Sequence, residues 1–427
     1  MVSVMASNRF IVKLILLSFF ILALFTNVMG PIVPDIINAF HLSLRAAGLL
    51  VFSFFIAYGV MSIPAGMLVE RFTEKPVLIG AFTTATLGAL GFSLFPRYEV
   101  AIGSLFVIGA SMATLQVAIN PLLRIAGGAA HFAFNEVLAQ LVFGFASFAS
   151  SRVYSYLVLN LSQTSSHSNG VIRLLKKITP VGLPWLSLYW LLALCAFIMA
   201  LIVLWAKFPI TQGVSERHCS TAQMYRRLLR RRAVWMYFFS IFAYVGFEQG
   251  TADWISKFLS EYQHCDPHTT GALVVSSFWG LMTVGCLFGV FLLRLFDSRR
   301  ILVAASTGAL VSFSVGLFGS STVSVAALPL VGLFASVMWP ILISLALNSV
   351  AEYHSAFSGL LGAGIIGGAI MTVTIGWLGD HFGLRTGMAL LYINLAYILS
   401  VGFWATPLIN NHIFRLKKEV VIAPASP

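Results

Sequence analysis

Residues 244–258 read YVGFEQGTADWISKF and set Glu248, Gln249, Asp253 and Lys257 into a run that is otherwise apolar helix. A polar group at mid-membrane depth is costly unless it is satisfied, so such groups face a bundle interior or a wet cavity. On this criterion the candidate ligand-contacting residues are Asn27, Gln116, Asn120 and Gln140 in the first half of the chain. In the second half they are Glu248, Gln249 and Asn348, with Trp339 as a flat apolar surface. Amides and a carboxylate both donate to and accept from hydroxyl groups, and an indole face packs against the C–H face of a pyranose. The set therefore suits a neutral hexose. Each amide taken alone is equally well read as an interhelical hydrogen bond that holds the bundle together.

The carboxylates in this stretch divide by depth. From a helix start near Ala233, a rise of about 1.5 Å per residue puts Glu248 roughly 22 Å and Asp253 roughly 30 Å across the membrane. Asp253 is then expected at the outer interface, in the acid-first i,i+4 order with Lys257 that favours a helical ion pair. Glu248 has no such partner and is the group that could carry a proton.

The elements that must position these residues follow from composition. The chain has 427 residues, of which 59% are hydrophobic and only 9% charged, with a mean hydropathy of +0.92. These values indicate a polytopic membrane protein, and the unbroken apolar runs fit helices rather than the alternating strands of a barrel. Apolar windows predict twelve helices, near 11–38, 47–69, 76–95, 100–123, 134–158, 184–206, 233–257, 271–293, 301–319, 324–349, 356–378 and 386–405. The N-terminal run RFIVKLILLSFFILALF continues past Gly30 without a small-residue cleavage site and reads as the first of them.

With the N-terminus placed in the cytoplasm, 18 of the 26 Lys and Arg residues fall on the cytoplasmic side. This bias places both termini in the cytoplasm of an inner-membrane protein. The basic stretch 207–232 is the longest polar segment and divides the chain into an N-terminal six-helix bundle, 1–206, and a C-terminal one, 233–427. The net charge of +12 thus reflects topology; the basic residues lack the aromatic interleaving expected of a nucleic-acid surface. Cys195, Cys219, Cys265 and Cys286 are too dispersed for a disulfide framework or a metal site.

Internal repetition supports two halves. GMLVERF places Gly66 five residues before Arg71, and GVFLLR places Gly289 five before Arg294, an offset of 223 between the glycines. AINPLL and VMWPIL place Pro121 and Pro340 at an offset of 219. In the first copy Gly66 permits close helix approach, while Glu70 and Arg71 stand at the membrane edge, where they can pair in one conformation and part in another. Gly66, Glu70, Arg71, Gly289 and Arg294 are thus candidate gating residues, the alternative being simple charged turns. Pro31, Pro34, Pro64, Pro121 and Pro340 and the glycines of the eleventh helix are expected to introduce kinks.

The chain here resembles the major facilitator superfamily, whose loop between helices two and three carries a G-x-L-x-D-R-x-G-R-K motif. Gly66, Leu68, Glu70, Arg71 and Lys75 follow it, with Glu for Asp and Thr73 where a glycine is expected. Over nearly the whole length, IPAGMLVERF, LQVAINP, VYSYLV, KFP, YVGFE, VMWPI and GIIGGAI resemble, in order and spacing, the fucose/galactose/glucose permeases. Gln116 and Glu248 are more similar to the glucose/galactose branch. The resemblance implies a twelve-helix all-α fold, alternating access, a sugar substrate and a proton or sodium ion as coupling partner. Fucose-type members carry a membrane Asp in helix one and a Glu in helix four. Those positions here are Gly30 and Gln116, which cannot titrate, so any coupling is left to Glu248 or to another cation.

An enzyme would need a nucleophile–base or metal constellation, and HExxH and G-x-S-x-G are absent from the sequence. No cofactor or metal is called for, and the expected state is a monomer in the bilayer. His131, His264, His268, His354 and His381 fall in loops or at helix ends, where solvated surface is the expectation. A carrier or exporter of another small solute, or a membrane sensor that no longer transports, is the rival reading.

Overall fold

A computed structural model describes residues 2–127, 132–162, 170–180, 182–206, 208, 226–349 and 354–406. Among the described residues the helices form twelve rods, several of them broken, with a short helix, Gly170–Ile178, between the fifth and sixth rods. In the first half these are α1 (Val2–Thr26 and Met29–Phe40), α2 (Leu44–Phe72), α3 (Glu74–Leu94), α4 (Tyr98–Gly127), α5 (Phe132–Ser162) and α6 (Ser187–Trp205). In the second they are α7 (Arg232–Ala252 and Ile255–Tyr262), α8 (Ala272–Leu295), α9 (Ser298–Phe318), α10 (Ser321–Ala335 and Met338–Leu347), α11 (His354–Ala363 and Ile366–Phe382) and α12 (Leu384–Ala389 and Leu391–Trp404). Ten of the rods are long and apolar enough to cross a membrane. The other two, α5 and α7, are those carrying Gln140 and Glu248. Most of 207–232 lies outside the described residues.

The breaks have identifiable causes. Proline has no N–H to give the carbonyl four residues earlier. Pro31 strips Asn27 of its partner where α1 breaks, and Pro340 does the same to Ser336 where α10 breaks. Pro34 and Pro64 are accommodated inside continuous helices, and α4 runs unbroken through Pro121. The break in α11 falls at Gly364 and Ile365, inside its glycine-rich run, and that in α7 at Asp253 and Trp254 has no proline near it.

Buried apolar side chains sort into two cores. One is built almost wholly from α1–α6, around Phe54, Phe82, Phe92, Trp185 and Tyr189. The other is built from α7–α12, around Trp254, Phe258, Phe278 and Phe313, and takes in only Val33, Ile37 and Ala47 from the first half. Those three residues lie near the α1–α2 turn, where the halves meet.

Among the described residues the closest contacts between the halves gather toward one end. There α2 lies on α11 so closely that a β-carbon at Gly48 would stand 2.8 Å from the Val373 Cα, and one at Gly376 would stand 2.4 Å from the Leu44 carbonyl oxygen. Likewise α5 lies on α8, where the Ser276 hydroxyl donates to the Phe148 carbonyl at 3.0 Å. Toward the other end of α2, the space a β-carbon at Gly66 would occupy is open. The two bundles thus form a V, closed at the end bearing the α1–α2 turn and open at the end bearing the α2–α3 turn.

Candidate functional site

The polar residues singled out from the sequence can be ordered by depth from the closed end. With about 1.5 Å per helical residue, Asn27 and Glu248 lie roughly 20 Å in, Gln116 and Trp339 roughly 27 Å, Asn120 and Gln140 roughly 33 Å, and Asn348 roughly 40 Å. Glu248, on α7, and Asn27, on α1, thus stand at one level on opposite sides of the V.

In the second half, Glu248 is half-buried and its Oε1 accepts a hydrogen bond from the Tyr244 hydroxyl at 3.2 Å. Tyr244 precedes it by one helical turn and so shares its face. The Tyr244 ring in turn lies 5.9 Å from the half-buried indole of Trp339, and Cys286 of α8 is within electrostatic reach of Glu248. This is a carboxylate with an aromatic floor, an arrangement that binds hydroxyls on one side and a C–H surface on the other. Tyr244 was legible as the i−4 neighbour of Glu248; Cys286 was not, since only tertiary packing brings α8 there.

In the first half, Asn27 is 2% exposed at the break in α1. Its Nδ2 donates to the Ser147 hydroxyl of α5 at 2.7 Å, while its Oδ1 has no donor. Gln116 and Asn120 are half-buried one turn apart on α4, and the Asn120 Oδ1 is also enclosed without a donor. Gln140 is exposed, one turn from Gly144, whose β-carbon would stand 2.0 Å from the Thr283 hydroxyl of α8. It therefore lies on the face of α5 turned toward the second half.

Two expected contacts are placed elsewhere. Gln249 is 5% exposed and packs against Gly368 of α11 rather than standing over the opening. Asn348 hydrogen-bonds Ser344 at 3.4 Å and sits at the open mouth, about 20 Å from the level of Glu248.

The expected Asp253–Lys257 pair does not form. Lys257 pairs with Glu261 at 3.5 Å, and Asp253 is 2% exposed. The reason is the length of α7, which breaks at Asp253 and continues to Tyr262, so that Asp253 lies about 13 Å short of the rod's end. Glu248 is therefore accompanied by a second deep carboxylate.

His268 also departs from expectation. It lies in a π turn, Pro267–Gly271, that opens α8, and its Nε2 is 2.8 Å from the Asp35 Oδ1 of α1. Asp35 is bound as well by the Tyr154 hydroxyl of α5, and the neighbouring Ser155 hydroxyl donates to the His268 carbonyl. Nearby, Asp380 of α11 accepts from the backbone N–H groups of Leu44 and Arg45 at 2.6 and 2.7 Å. A carboxylate at the positive N-terminus of α2 is in its preferred place. These two clusters tie the halves together at the closed end.

The gating residues expected from the sequence lie at the opposite, open end. Arg71 is exposed and stacks on Phe72 at 5.2 Å, and a β-carbon at Gly289 would press on Val337 of its own half. The side chains of Glu70 and Arg294 lie outside the described residues.

Residues 15–364 match the family model of the Major Facilitator Superfamily. The chain belongs to the major facilitator superfamily. It is 28% identical to a glucose/galactose transporter of Brucella abortus, over 90% of this chain and 92% of that one. It is 27% identical to the L-fucose-proton symporter of Escherichia coli, over 88% and 89%. The crystal structure of the Escherichia coli fucose:proton symporter superposes with a TM-score of 0.67 at 23% identity, covering 94% of this chain and 99% of that one. A bacterial homologue of the human lysosomal transporter Spinster, in an inward-facing conformation, superposes with a TM-score of 0.74 at 14% identity, covering 93% and 97%. These likenesses establish the twelve-helix fold of this transporter superfamily.

Proposed function

We propose that the chain imports a neutral hexose of the glucose or galactose type across the inner membrane by alternating access, coupled to protons through Glu248. The observation that supports this reading most is the Glu248–Tyr244–Trp339 cluster on one half, with the Asn27, Gln116 and Asn120 amides buried or half-buried on the other. On this reading the sugar binds between the two sets, one on each half. A hexose spanning that gap hydrogen-bonds both halves at once, which draws them together on the open side and favours the change of access.

The distribution of Lys and Arg supports a cytoplasmic open end, with both termini on that side. The halves, 1–206 and 233–427, then rock about the central site, and the conformation described is inward-open. The relationship to the Brucella glucose/galactose transporter, which extends over nearly the full length of both chains, supports the same substrate class.

The test is uptake of a panel of labelled hexoses into proteoliposomes, with and without imposed proton and sodium gradients. Glucose or galactose uptake that rises with an inward proton gradient is expected, with loss of coupling in Glu248→Gln. Absence of uptake for every hexose would overturn the reading.

A further inference from the structure

The short helix Gly170–Ile178, with the sequence GVIRLLKKI, packs on α5 and α6 where the chain passes from one to the other, at the closed end of the V. Leu, Lys and Arg favour a helix, and Pro180 and Gly182, the latter at φ 92°, stop it. Nine residues are too few to hold a helix in water by hydrogen bonding alone, so this one depends on what its faces meet.

Successive residues turn by about 100°, which sorts the side chains into three stripes. Ile172 and Leu175, 3% and 6% exposed, join the core of the first half. Beside them Val171, Leu174 and Ile178 are 62%, 61% and 41% exposed and form an apolar stripe. The remaining arc carries Arg173, Lys176 and Lys177, all exposed, and the helix has no acidic residue. Exposing the apolar stripe to water is unfavourable, but the helix stands at the ends of two membrane rods, where acyl chains give way to headgroups. With the apolar stripe turned into the acyl boundary and Ile172 and Leu175 against the rods, the basic stripe emerges at headgroup level.

Topology does not account for these cations. Arg173, Lys176 and Lys177 are three of the eight Lys and Arg residues that fall outside the cytoplasmic set, and a basic cluster on the outer side runs against the bias that orients the chain. We propose that Gly170–Ile178 is an interfacial helix that binds anionic lipid of the outer leaflet. Val171, Leu174 and Ile178 lie among the acyl chains, and Arg173, Lys176 and Lys177 engage the phosphodiester groups. The choice of leaflet, though not the lipid contact, rests on the cytoplasmic placement of the open end argued above. A phosphodiester attached to acyl chains satisfies both stripes at once, whereas a soluble anion leaves the apolar stripe in water. The long stems of Lys and Arg can lie along apolar surface while their charges stay in the headgroup layer.

The test uses the full chain with its native cysteines replaced and a bimane fluorophore at Leu174→Cys, reconstituted with phosphatidylglycerol or phosphatidylcholine brominated in the acyl chains. Quenching by bromine reports the lipid at that position alone. Both brominated lipids should quench, with phosphatidylglycerol preferred over phosphatidylcholine. A basic residue beside an anionic surface contributes a factor of about five in binding at low salt. Changing Arg173, Lys176 and Lys177 together to Gln should therefore lower the preference roughly tenfold or more, and single changes should lower it by up to about fivefold. Arg97→Gln, exposed at the same end but outside the helix, should leave it unchanged. Val171→Cys supplies a second reporting position if the first variant does not insert. An absence of quenching by either lipid, as when a second copy of the chain covers the stripe, would overturn the proposal. So would equal quenching by the two lipids that the triple variant leaves unaltered. Reaction of Lys176→Cys with a membrane-impermeant maleimide in intact cells checks the leaflet. Labelling only after permeabilisation would overturn the orientation and the assignment to the outer leaflet, while the quenching ratio would still decide the lipid contact.

Discussion

Replacing His268 by Ala removes the imidazole that joins the π turn of the second half to Asp35 of the first. A hydrogen bond to a charged group contributes about 1.5–3 kcal/mol when well shielded. Here the side chains of His268 and Asp35 are 30% and 14% exposed, so solvent screening reduces that figure. A loss of about 1–2 kcal/mol from the closed outer end is a reasonable magnitude, which corresponds to roughly a 5- to 30-fold shift toward the outer-open state. Asp35 keeps the Tyr154 hydroxyl, which lies in its own half, so the first bundle is not left with an unpartnered carboxylate. The Ser155 bond to the backbone carbonyl at position 268 also remains, so closure is weakened rather than abolished. Spin labels at Arg97→Cys and Ser320→Cys, both exposed at the outer end with one on each half, read the outcome as a larger long-distance population at fixed pH. If His268→Ala leaves the populations of the two states unchanged, the Asp35–His268 contact does not hold the outer end closed and the reasoning fails.

Other perturbations follow from the same geometry. Gly48→Val puts a branched side chain where even a β-carbon is 2.8 Å from α11, so the outer end should be wedged apart; labelling of outer-end cysteines by a membrane-impermeant maleimide should rise and hexose uptake should fall. Trp339→Ala removes an aromatic surface beside Tyr244, and a loss of about 0.5–1.5 kcal/mol implies a KM for hexose uptake raised roughly 2- to 10-fold, measured by initial rates. Asp380→Ala deletes the acceptor for two backbone N–H groups of α2 across the halves and should act in the same direction as His268→Ala; a double variant more outer-open than either single one checks that the two contacts act together.

The sequence was most readable where a local rule decides the outcome. The breaks at Asn27 and Ser336 follow from Pro31 and Pro340, four residues on, because the missing N–H acts at a fixed spacing. Glu248 stood out because a lone carboxylate in an apolar run has few local ways to be satisfied. Asp253 was misplaced because its depth was counted along a helix ending near residue 257. The second segment of α7, Ile255–Tyr262, extends the rod past that point and leaves Asp253 inside. Nor could spacing in the chain reveal that His268 meets Asp35, 233 positions away, since that contact exists only once two bundles close. The contacts that hold the closed end are of this long-range kind, and glycine-rich α11 hinted only that something would approach it closely.

The most direct measurement of the central claim is proton movement driven by sugar. Proteoliposomes in weakly buffered medium, with no imposed gradient, are given external galactose or glucose while external pH is recorded. The account predicts an alkaline shift that begins with sugar addition, is abolished by a protonophore, and is lost in Glu248→Gln. Sugar uptake without any pH change would contradict proton coupling, and the absence of both would contradict hexose transport itself.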